Sequence, residues 1–166
     1  MSMKNIGSVL TNSQLTNMQP GDVQPNAVDL RLGKVLYIHA DQFEITNESK
    51  KHRGSTEILP DSDGYYDLGV GNYEVVMENL IKVGYNEAGW VITRSTLNRN
   101  GVFLTSGLYD TGYDGVMAAT MHVAVGPMRI KRGTRIGQYL CFEAQSLSSY
   151  SGDYGSSKAH DAKYAQ

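Results

Sequence analysis

Residues 114–125 have the sequence DGVMAATMHVAV, a long run rich in apolar side chains. One set of alternate positions is apolar and consists of Met117, Ala119, Met121, Val123 and Val125. The other set includes Asp114, Thr120 and His122. Because successive side chains of a strand point to opposite faces, this run predicts a β-strand with one apolar face and one more polar face.

Shorter apolar runs surround this segment. They are YYDLGV, YEVVM, LIKVGY, GWVIT, GVFLT, MRI and RIGQYLCFEA, and each is bounded by Gly, Asn, Asp or Pro. Before them, AVDLRLGKVLYIHA at residues 27–40 predicts two strands with a bend near Gly33. Short apolar runs separated by turn residues are typical of an antiparallel sandwich or barrel. The sequence therefore predicts one all-β domain that spans residues 1–145.

Three segments lack this pattern. Near the N-terminus, KNIGSVLTNSQL at residues 4–15 has apolar residues at near-helical spacing and predicts one short helix. Residues 44–64 are polar and rich in turn formers, so we expect an exposed loop there. The tail 146–166 is rich in Ser, Gly and Ala. It predicts a flexible C-terminal arm that becomes ordered only against a partner or a ligand.

Charge and hydropathy exclude some classes of function. The chain has 15 basic and 17 acidic side chains, so we do not expect the basic surface of a nucleic-acid-binding protein. No run approaches the roughly 18 apolar residues of a membrane span, and a membrane partner is not expected either. The single cysteine, Cys141, lies in an apolar run and indicates a buried side chain in a reducing compartment. We therefore expect a soluble, cytoplasmic protein.

Two polar segments beside strands contain arginine. In QPNAVDLRLG at residues 24–33, Asp29 and Arg31 share one face of the predicted strand. A structural ion pair there is the favoured interpretation, and a contact with a neighbouring subunit is the alternative. In TRSTLNRNG at residues 93–101, Arg94, Ser95 and Arg99 could donate charge-assisted hydrogen bonds to phosphate oxygens. A solvated surface turn is the alternative for this second segment.

The segment GLYDTGYDG at residues 107–115 combines a carboxylate with glycines. Glycines in a tight hairpin let a ligand approach the backbone closely. Asp110 near the apex could take a proton from water, which makes it the candidate catalytic residue, and a plain turn residue is the alternative. The pattern alone predicts that Tyr113 is a half-buried strand aromatic.

Taken in order, these segments resemble the superfamily of dUTP diphosphatases and dCTP deaminases. QPNAVDLRLG is similar to the opening motif of the deaminase branch, RSTLNR to its RSSLxR element, and YDTGYDG to the shared ID-x-x-[YW]-x-G hairpin. GTRIGQYLCFEA is similar to the later G-x-R-I-x-Q-L segment. In the tail, SGDYGSSK is similar to the G-F-G-S-T-G arm of diphosphatases.

The resemblance implies a compact β-clip, or distorted jelly-roll barrel, that assembles as a homotrimer with nucleotide sites between subunits. It also implies that Mg²⁺ is bound through the triphosphate and waters rather than by direct protein ligands. The implied site residues are Asp110 for catalysis, Arg94, Ser95, Arg99, Gln138, Ser156 and Ser157 for the phosphates, and Leu108, Tyr113 and Tyr154 for the base and sugar.

Two reactions remain open on this resemblance. Deaminases carry a glutamate ten residues after the hairpin aspartate, where this chain has Thr120. A hydroxyl group cannot shuttle protons at neutral pH as a carboxylate does. Hydrolysis of dUTP to dUMP and pyrophosphate, with Asp110 as the base, is therefore the leading hypothesis. The alternatives are a dCTP deaminase, which includes a bifunctional form, a nucleotide-sensing interaction protein, and a structural trimer without a ligand.

Overall fold

The computed structural model describes residues 2–165, and strands dominate it. The strands are β1 (Met3–Lys4), β2 (Gln14–Leu15), β3 (Val28–Ile38), β4 (Glu44–Ile45), β5 (Lys50–Lys51), β6 (Ser55–Ile58), β7 (Tyr65–Leu68), β8 (Gly71–Lys82), β9 (Glu87–Thr93), β10 (Val102–Thr105), β11 (Asp114–Val123), β12 (Met128–Lys131) and β13 (Arg135–Glu143). The helices are α1 (Ser95–Asn98) and a 3-10 helix, His160–Tyr164. The predicted all-β class is confirmed. Within residues 2–165, no helix has the length and apolar character needed to cross a membrane.

The main sheet is antiparallel and has the strand order β1-β13-β3-β8-β11-β10, with β2 also paired to β8, β6 to β3 and β9 to β13. Two small sheets, β7–β12 and β4–β5, complete the fold. The strand β3 pairs first with β13 and then, from Leu32 onward, with β8. The register shifts at Gly33, where a Cβ atom would lie 2.9 Å from the carbonyl oxygen of Val76. The bend is therefore where the sequence predicts it, but it lies within one continuous strand.

The strand β11 has the predicted alternation. Its apolar set, Met117, Ala119, Met121 and Val123, is buried in the core. The positions between these residues are partly or fully exposed. β11 lies between β8 and β10. The polar side chains of β11 therefore stand beside the side chains of their cross-strand partners in both neighbouring strands.

The predicted N-terminal helix is wrong. Residues 3–4 and 14–15 are short strands, and turns and irregular structure lie between them. Ile6 and Leu15 are buried in the core, but Val9 and Leu10 are 98% and 77% exposed, so the apolar positions that suggested a helix do not share one buried face. Instead, the backbone nitrogens of Asn12 and Ser13 donate hydrogen bonds to the buried carboxylate of Glu87. This distant carboxylate favours an open loop over a helix because a helix would use those nitrogens internally.

The segment 44–64 is largely exposed, as predicted, although the short strands β4, β5 and β6 interrupt the loop. The C-terminal arm differs more from expectation. It packs against its own chain, and Tyr164 is buried with Leu36 and Val76 on the polar-face side of the sheet. An apolar contact at the very end of the arm thus provides an attachment that does not need a partner or a ligand.

Candidate active site

A tight turn holds Asp110 between β10 and β11. The backbone nitrogen of Tyr113 donates to the carbonyl oxygen of Asp110 at 3.0 Å, and Gly112 within this turn has a φ of +82°. That backbone conformation favours glycine. The Asp110 side chain is exposed, and its carboxylate has no hydrogen-bond or ion-pair partner among residues 2–165. It is therefore free to accept a hydrogen bond from water or a ligand.

Thr111 fixes the position of this turn. Its hydroxyl group donates to the carbonyl oxygen of Glu87 at 2.7 Å and lies 2.6 Å from the hydroxyl oxygen of Ser146. Its own carbonyl oxygen accepts a hydrogen bond from the backbone nitrogen of Tyr150 at 2.7 Å. Thr111 is buried, so these hydrogen bonds are shielded from water. The residue next to Asp110 thus joins the hairpin both to β9 and to the beginning of the C-terminal arm.

Two tyrosines form a rigid wall on one side of the hairpin. The rings of Tyr109 and Tyr113 meet edge to face with centroids 5.3 Å apart, and Tyr113 makes a similar contact with Tyr150. The Tyr113 hydroxyl group donates to the carbonyl oxygen of Val116 at 2.7 Å. Burial raises the pKa of both Tyr109 and Tyr113, so both phenols stay neutral at physiological pH. This wall suits the apolar face of a sugar or base.

A cavity of about 810 Å³ opens beside this wall, and we call it the hairpin cavity. Its volume suits a small-molecule ligand. The three residues expected at the base and sugar, Leu108, Tyr113 and Tyr154, all line it. Thr120 lines it as well, which confirms that the polar face of β11 points into a cavity.

The C-terminal arm closes one side of the hairpin cavity. The backbone nitrogen of Ser156 donates to the carbonyl oxygen of Asp114 at 2.8 Å. A Cβ atom on Gly115 would lie 2.8 Å from the Cα atom of Gly155, so two glycines allow the arm to touch the hairpin. Ser156 and Ser157, both expected at the phosphates, are exposed beside this contact.

A second group of polar side chains surrounds the buried carboxylate of Asp29. Its Oδ1 atom accepts a hydrogen bond from Nε2 of Gln138 at 3.0 Å. Its Oδ2 atom lies 3.3 Å from Nε of Arg94 and 3.2 Å from Nη1 of Arg135. We call these four residues the Asp29 cluster. It brings together Arg94 and Gln138, which are two of the predicted phosphate ligands.

The predicted ion pair between Asp29 and Arg31 is wrong. Arg31 instead makes two hydrogen bonds to Asp22, from Nη2 at 2.6 Å and from Nε at 2.9 Å. A shared strand face does not by itself determine the ionic partner of Asp29. The paired strand β13 brings Arg135 and Gln138 to its carboxylate, and Arg94 reaches it from the end of β9.

The predicted site residues form two separate groups within one chain. Ser95 and Arg99 lie at the two ends of α1 and are exposed. The hairpin cavity includes neither of these residues, and it includes neither Arg94 nor Gln138. Asp110 does not line it either.

Glu74 is a cavity residue that sequence reasoning missed. It lies directly opposite Thr120 in the pairing of β8 with β11 and lines the hairpin cavity. Its carboxylate accepts hydrogen bonds from Nζ of Lys163, at 3.1 Å, and from the hydroxyl group of Tyr164. Only the strand register could have revealed it, because the YEVVM run gives no sign of which face meets a ligand.

The fold is one found in dCTP deaminases and dUTPases. The structure of 2′-deoxycytidine 5′-triphosphate deaminase from Agrobacterium tumefaciens matches with a TM-score of 0.61 and 18% identity, over 78% of this chain and 43% of that one. This chain thus spans less than half the length of that deaminase. A mutant dUTPase from phage phi11 of Staphylococcus aureus matches with a TM-score of 0.51 and 9% identity, over 87% and 99% of the two chains. At these identities the likeness shows the fold alone.

A family model described as dCTP deaminase-like matches residues 4–144. The chain therefore belongs to the dCTP deaminase-like family. A deoxyuridine 5′-triphosphate nucleotidohydrolase of Methanocaldococcus jannaschii is 30% identical over 152 residues, which cover 90% of this chain and 97% of that protein. A probable enzyme of the same name from Aeropyrum pernix is 31% identical over 144 residues, which cover 81% and 85% of the two proteins.

Proposed function

We propose that the protein hydrolyses dUTP to dUMP and pyrophosphate. The observation that carries this proposal is the exposed, unpartnered carboxylate of Asp110 on a hairpin that Thr111 holds in place. The names of the M. jannaschii and A. pernix relatives support it, because both are nucleotidohydrolases of deoxyuridine triphosphate and both are similar over most of their length.

In the proposed reaction, Asp110 accepts a proton from a water molecule whose oxygen attacks the α-phosphorus of dUTP. The bond from this phosphorus to the bridging oxygen breaks, and pyrophosphate leaves. Tyr113 packs against the deoxyribose, while Leu108 and Tyr154 contact the base. Arg94, Ser95, Arg99 and Gln138 donate hydrogen bonds to the phosphates, together with Ser156 and Ser157 of the arm.

Mg²⁺ is the proposed cofactor and neutralises charge on the phosphate oxygens. The phi11 dUTPase structure is described as showing the coordination of a structural Mg(II) ion. No group of three His, Cys, Asp or Glu side chains among residues 2–165 is arranged to hold a metal. The proposed phosphate ligands are rich in arginine, hydroxyl and amide groups, which fits a Mg²⁺–triphosphate complex that the protein holds through the phosphate oxygens. The proposed reaction includes one proton transfer, from the attacking water to Asp110.

We further propose that the active protein is a homotrimer of β-clip subunits. In one chain, the Asp29 cluster and α1 are not part of the hairpin cavity. A complete site for a nucleoside triphosphate needs both a base pocket and phosphate ligands, so a neighbouring subunit would supply the second group. Analytical ultracentrifugation tests this assembly, and a catalytically active monomer would contradict it.

The reaction is tested by incubating the protein separately with each deoxynucleoside triphosphate, with dUTP included, and by measuring pyrophosphate and ammonia. We expect pyrophosphate and dUMP from dUTP with Mg²⁺. No release of pyrophosphate from dUTP would overturn the proposal.

Deamination of dCTP is the second candidate, and Glu74 is the observation that favours it. Thr120 lacks the carboxylate needed to move protons, but Glu74 provides one from the adjacent strand within the same cavity. Arm residues Lys163 and Tyr164 hold this carboxylate, so they would have to release it. This second activity would be established if the wild-type protein releases ammonia from dCTP and Glu74→Gln does not, while Glu74→Gln still hydrolyses dUTP.

A further inference from the structure

The carboxylate of Asp29 is fully buried and is contacted by three donor side chains, two from β13 and one that follows β9. Its side chain has 0% exposure, whereas Arg94 and Arg135 remain 30% and 34% exposed. Asp29 and Gln138 are direct cross-strand partners in the pairing of β3 with β13. Arg94 reaches the same carboxylate from the end of β9, where its backbone nitrogen donates to the carbonyl oxygen of Ile136 at 3.0 Å.

The contacts leave part of each donor group available. The Nε atom of Arg94 lies closest to Asp29, and neither terminal nitrogen of that guanidinium makes a hydrogen bond within residues 2–165. Asp29 also uses only one N–H of the Gln138 amide, and a primary amide has two. A fixed guanidinium and a fixed amide with free N–H groups form a preorganised set of phosphate donors.

We propose that Asp29 is a positioning residue for the phosphate site, which holds Arg94 and Gln138 in the orientation that binds the triphosphate. This inference rests on the proposed function, because it takes Arg94 and Gln138 as phosphate ligands. Asp29 itself does not touch the nucleotide. Asp29 orders these two side chains before the triphosphate arrives. Binding then costs less conformational entropy, and the affinity is higher.

Charge makes the proposal testable, because positioning and simple electrostatics predict opposite results. Asp29→Asn removes a negative charge that lies next to two arginines and so makes the cluster more positive. Electrostatics alone predicts tighter binding of an anion. Positioning predicts weaker binding, because an asparagine oxygen holds a guanidinium less firmly than a carboxylate does.

Asp22 offers a matched control. Its side chain also has 0% exposure, and it also pairs with an arginine, Arg31, at 2.6 Å. Neither Asp22 nor Arg31 belongs to the proposed site. Asp22→Asn therefore measures the general cost of disturbing a neighbouring buried ion pair that includes none of the proposed phosphate donors.

The experiment titrates Mg²⁺–tripolyphosphate into the full-length protein by calorimetry and measures kcat and KM for dUTP. In Asp29→Asn we expect the Kd for tripolyphosphate to rise about tenfold, and KM to rise more than kcat falls. In Asp22→Asn we expect less than about a twofold change in Kd, even where both variants lose similar stability.

A second variant covers the case in which Asp29→Asn does not fold. Asp29→Glu keeps the charge but moves the carboxylate by one methylene group, and we expect it to raise the Kd for tripolyphosphate as well. A Kd equal to or lower than that of the wild type in either folded variant would overturn the positioning role alone. A wild-type protein that neither binds tripolyphosphate nor hydrolyses dUTP would overturn the proposed function, and the positioning role with it.

Discussion

The hydroxyl group of Thr111 donates a 2.7 Å hydrogen bond to the backbone carbonyl oxygen of Glu87 and thereby joins the Asp110 hairpin to β9. Replacing Thr111 with Val keeps the shape of the side chain and removes the hydroxyl group. We expect stability to fall by about 1–2 kcal/mol because buried hydrogen bonds are lost. We also expect kcat for dUTP to fall roughly 10- to 100-fold because Asp110 is displaced.

Thr111→Ser is the control for this prediction, since it retains the hydroxyl group. Urea unfolding and steady-state kinetics measure the two effects separately. A Val variant that hydrolyses dUTP at the wild-type rate would show that the position of Asp110 does not depend on this hydrogen bond.

The buried carboxylate of Glu87 should make the protein sensitive to acid. Burial alone would raise the pKa of Glu87, but hydrogen bonds from Ser13, Asn12, Thr11 and Lys4 outweigh it and lower the pKa from 4.5 to about 2. Because the folded-state pKa is lowered, this contribution to stability is complete above pH 4.5 and is lost as the pH falls towards 2. It amounts to about 3 kcal/mol at neutral pH.

Glu87→Gln should therefore lower the free energy of unfolding at pH 7 and flatten its dependence on pH between about 4.5 and 2. Urea unfolding over this pH range measures both effects. Glu143→Gln is the control, because Glu143 is largely exposed and lies 3.7 Å from the same lysine, Lys4. An unchanged pH dependence in Glu87→Gln would refute the assignment.

Gly155 should be essential for the docking of the arm. Its φ is +128°, and a Cβ atom there would lie 2.8 Å from the carbonyl oxygen of Asp114. Gly155→Ala should weaken docking by about 1–3 kcal/mol, because alanine at this backbone conformation is strained. Limited proteolysis of residues 146–165 measures the effect, and we expect faster cleavage together with a higher KM for dUTP.

Gly69→Ala is the control for the arm, because no atom lies within 4 Å of a Cβ at that position. Equal rates of arm cleavage in the two variants would mean that the contact between Gly155 and the hairpin does not hold the arm.

A histidine pair should make arm docking depend on pH. The rings of His52 and His160 lie with centroids 4.5 Å apart. Burial first, and then the charge of His160 and of nearby Lys163, lower the pKa of His52. The docked arm thus favours neutral His52, and docking should weaken as the pH falls below the ordinary value of 6.5.

Hydrogen exchange of the arm amides at pH 7.5 and 5.5 tests this dependence. We expect faster exchange at the lower pH after correction for the intrinsic rate. His52→Gln cannot take up a proton in this range, and it should remove most of the difference. A difference of the same size in His52→Gln would assign the effect to other groups.

The sequence was informative where local pattern decides structure. The alternation in residues 114–125 predicted β11 and the cavity-facing position of Thr120, because the two faces of a strand follow from its backbone geometry. The hairpin that carries Asp110 could also be predicted from local sequence, because a tight turn favours glycine and aspartate at particular positions.

Long-range pairing was not visible in the sequence. The N-terminal loop depends on Glu87, about 75 positions away from Asn12 and Ser13. The partners of Asp29 and the role of Glu74 follow from strand register, and many registers fit the same apolar runs. The arm was predicted to be flexible because its composition is polar, yet Tyr150 packs against the core and Tyr164 packs against Leu36 and Val76 of the sheet.

We propose that Asp110 activates a water molecule for attack on the α-phosphorus of dUTP. Turnover of dUTP in ¹⁸O-labelled water, with mass analysis of both products, tests this claim directly. We predict that the label appears in dUMP and not in pyrophosphate, and that Asp110→Asn slows its incorporation by about 100-fold or more. Label in pyrophosphate, or an Asp110→Asn variant that turns over at the wild-type rate, would contradict the account.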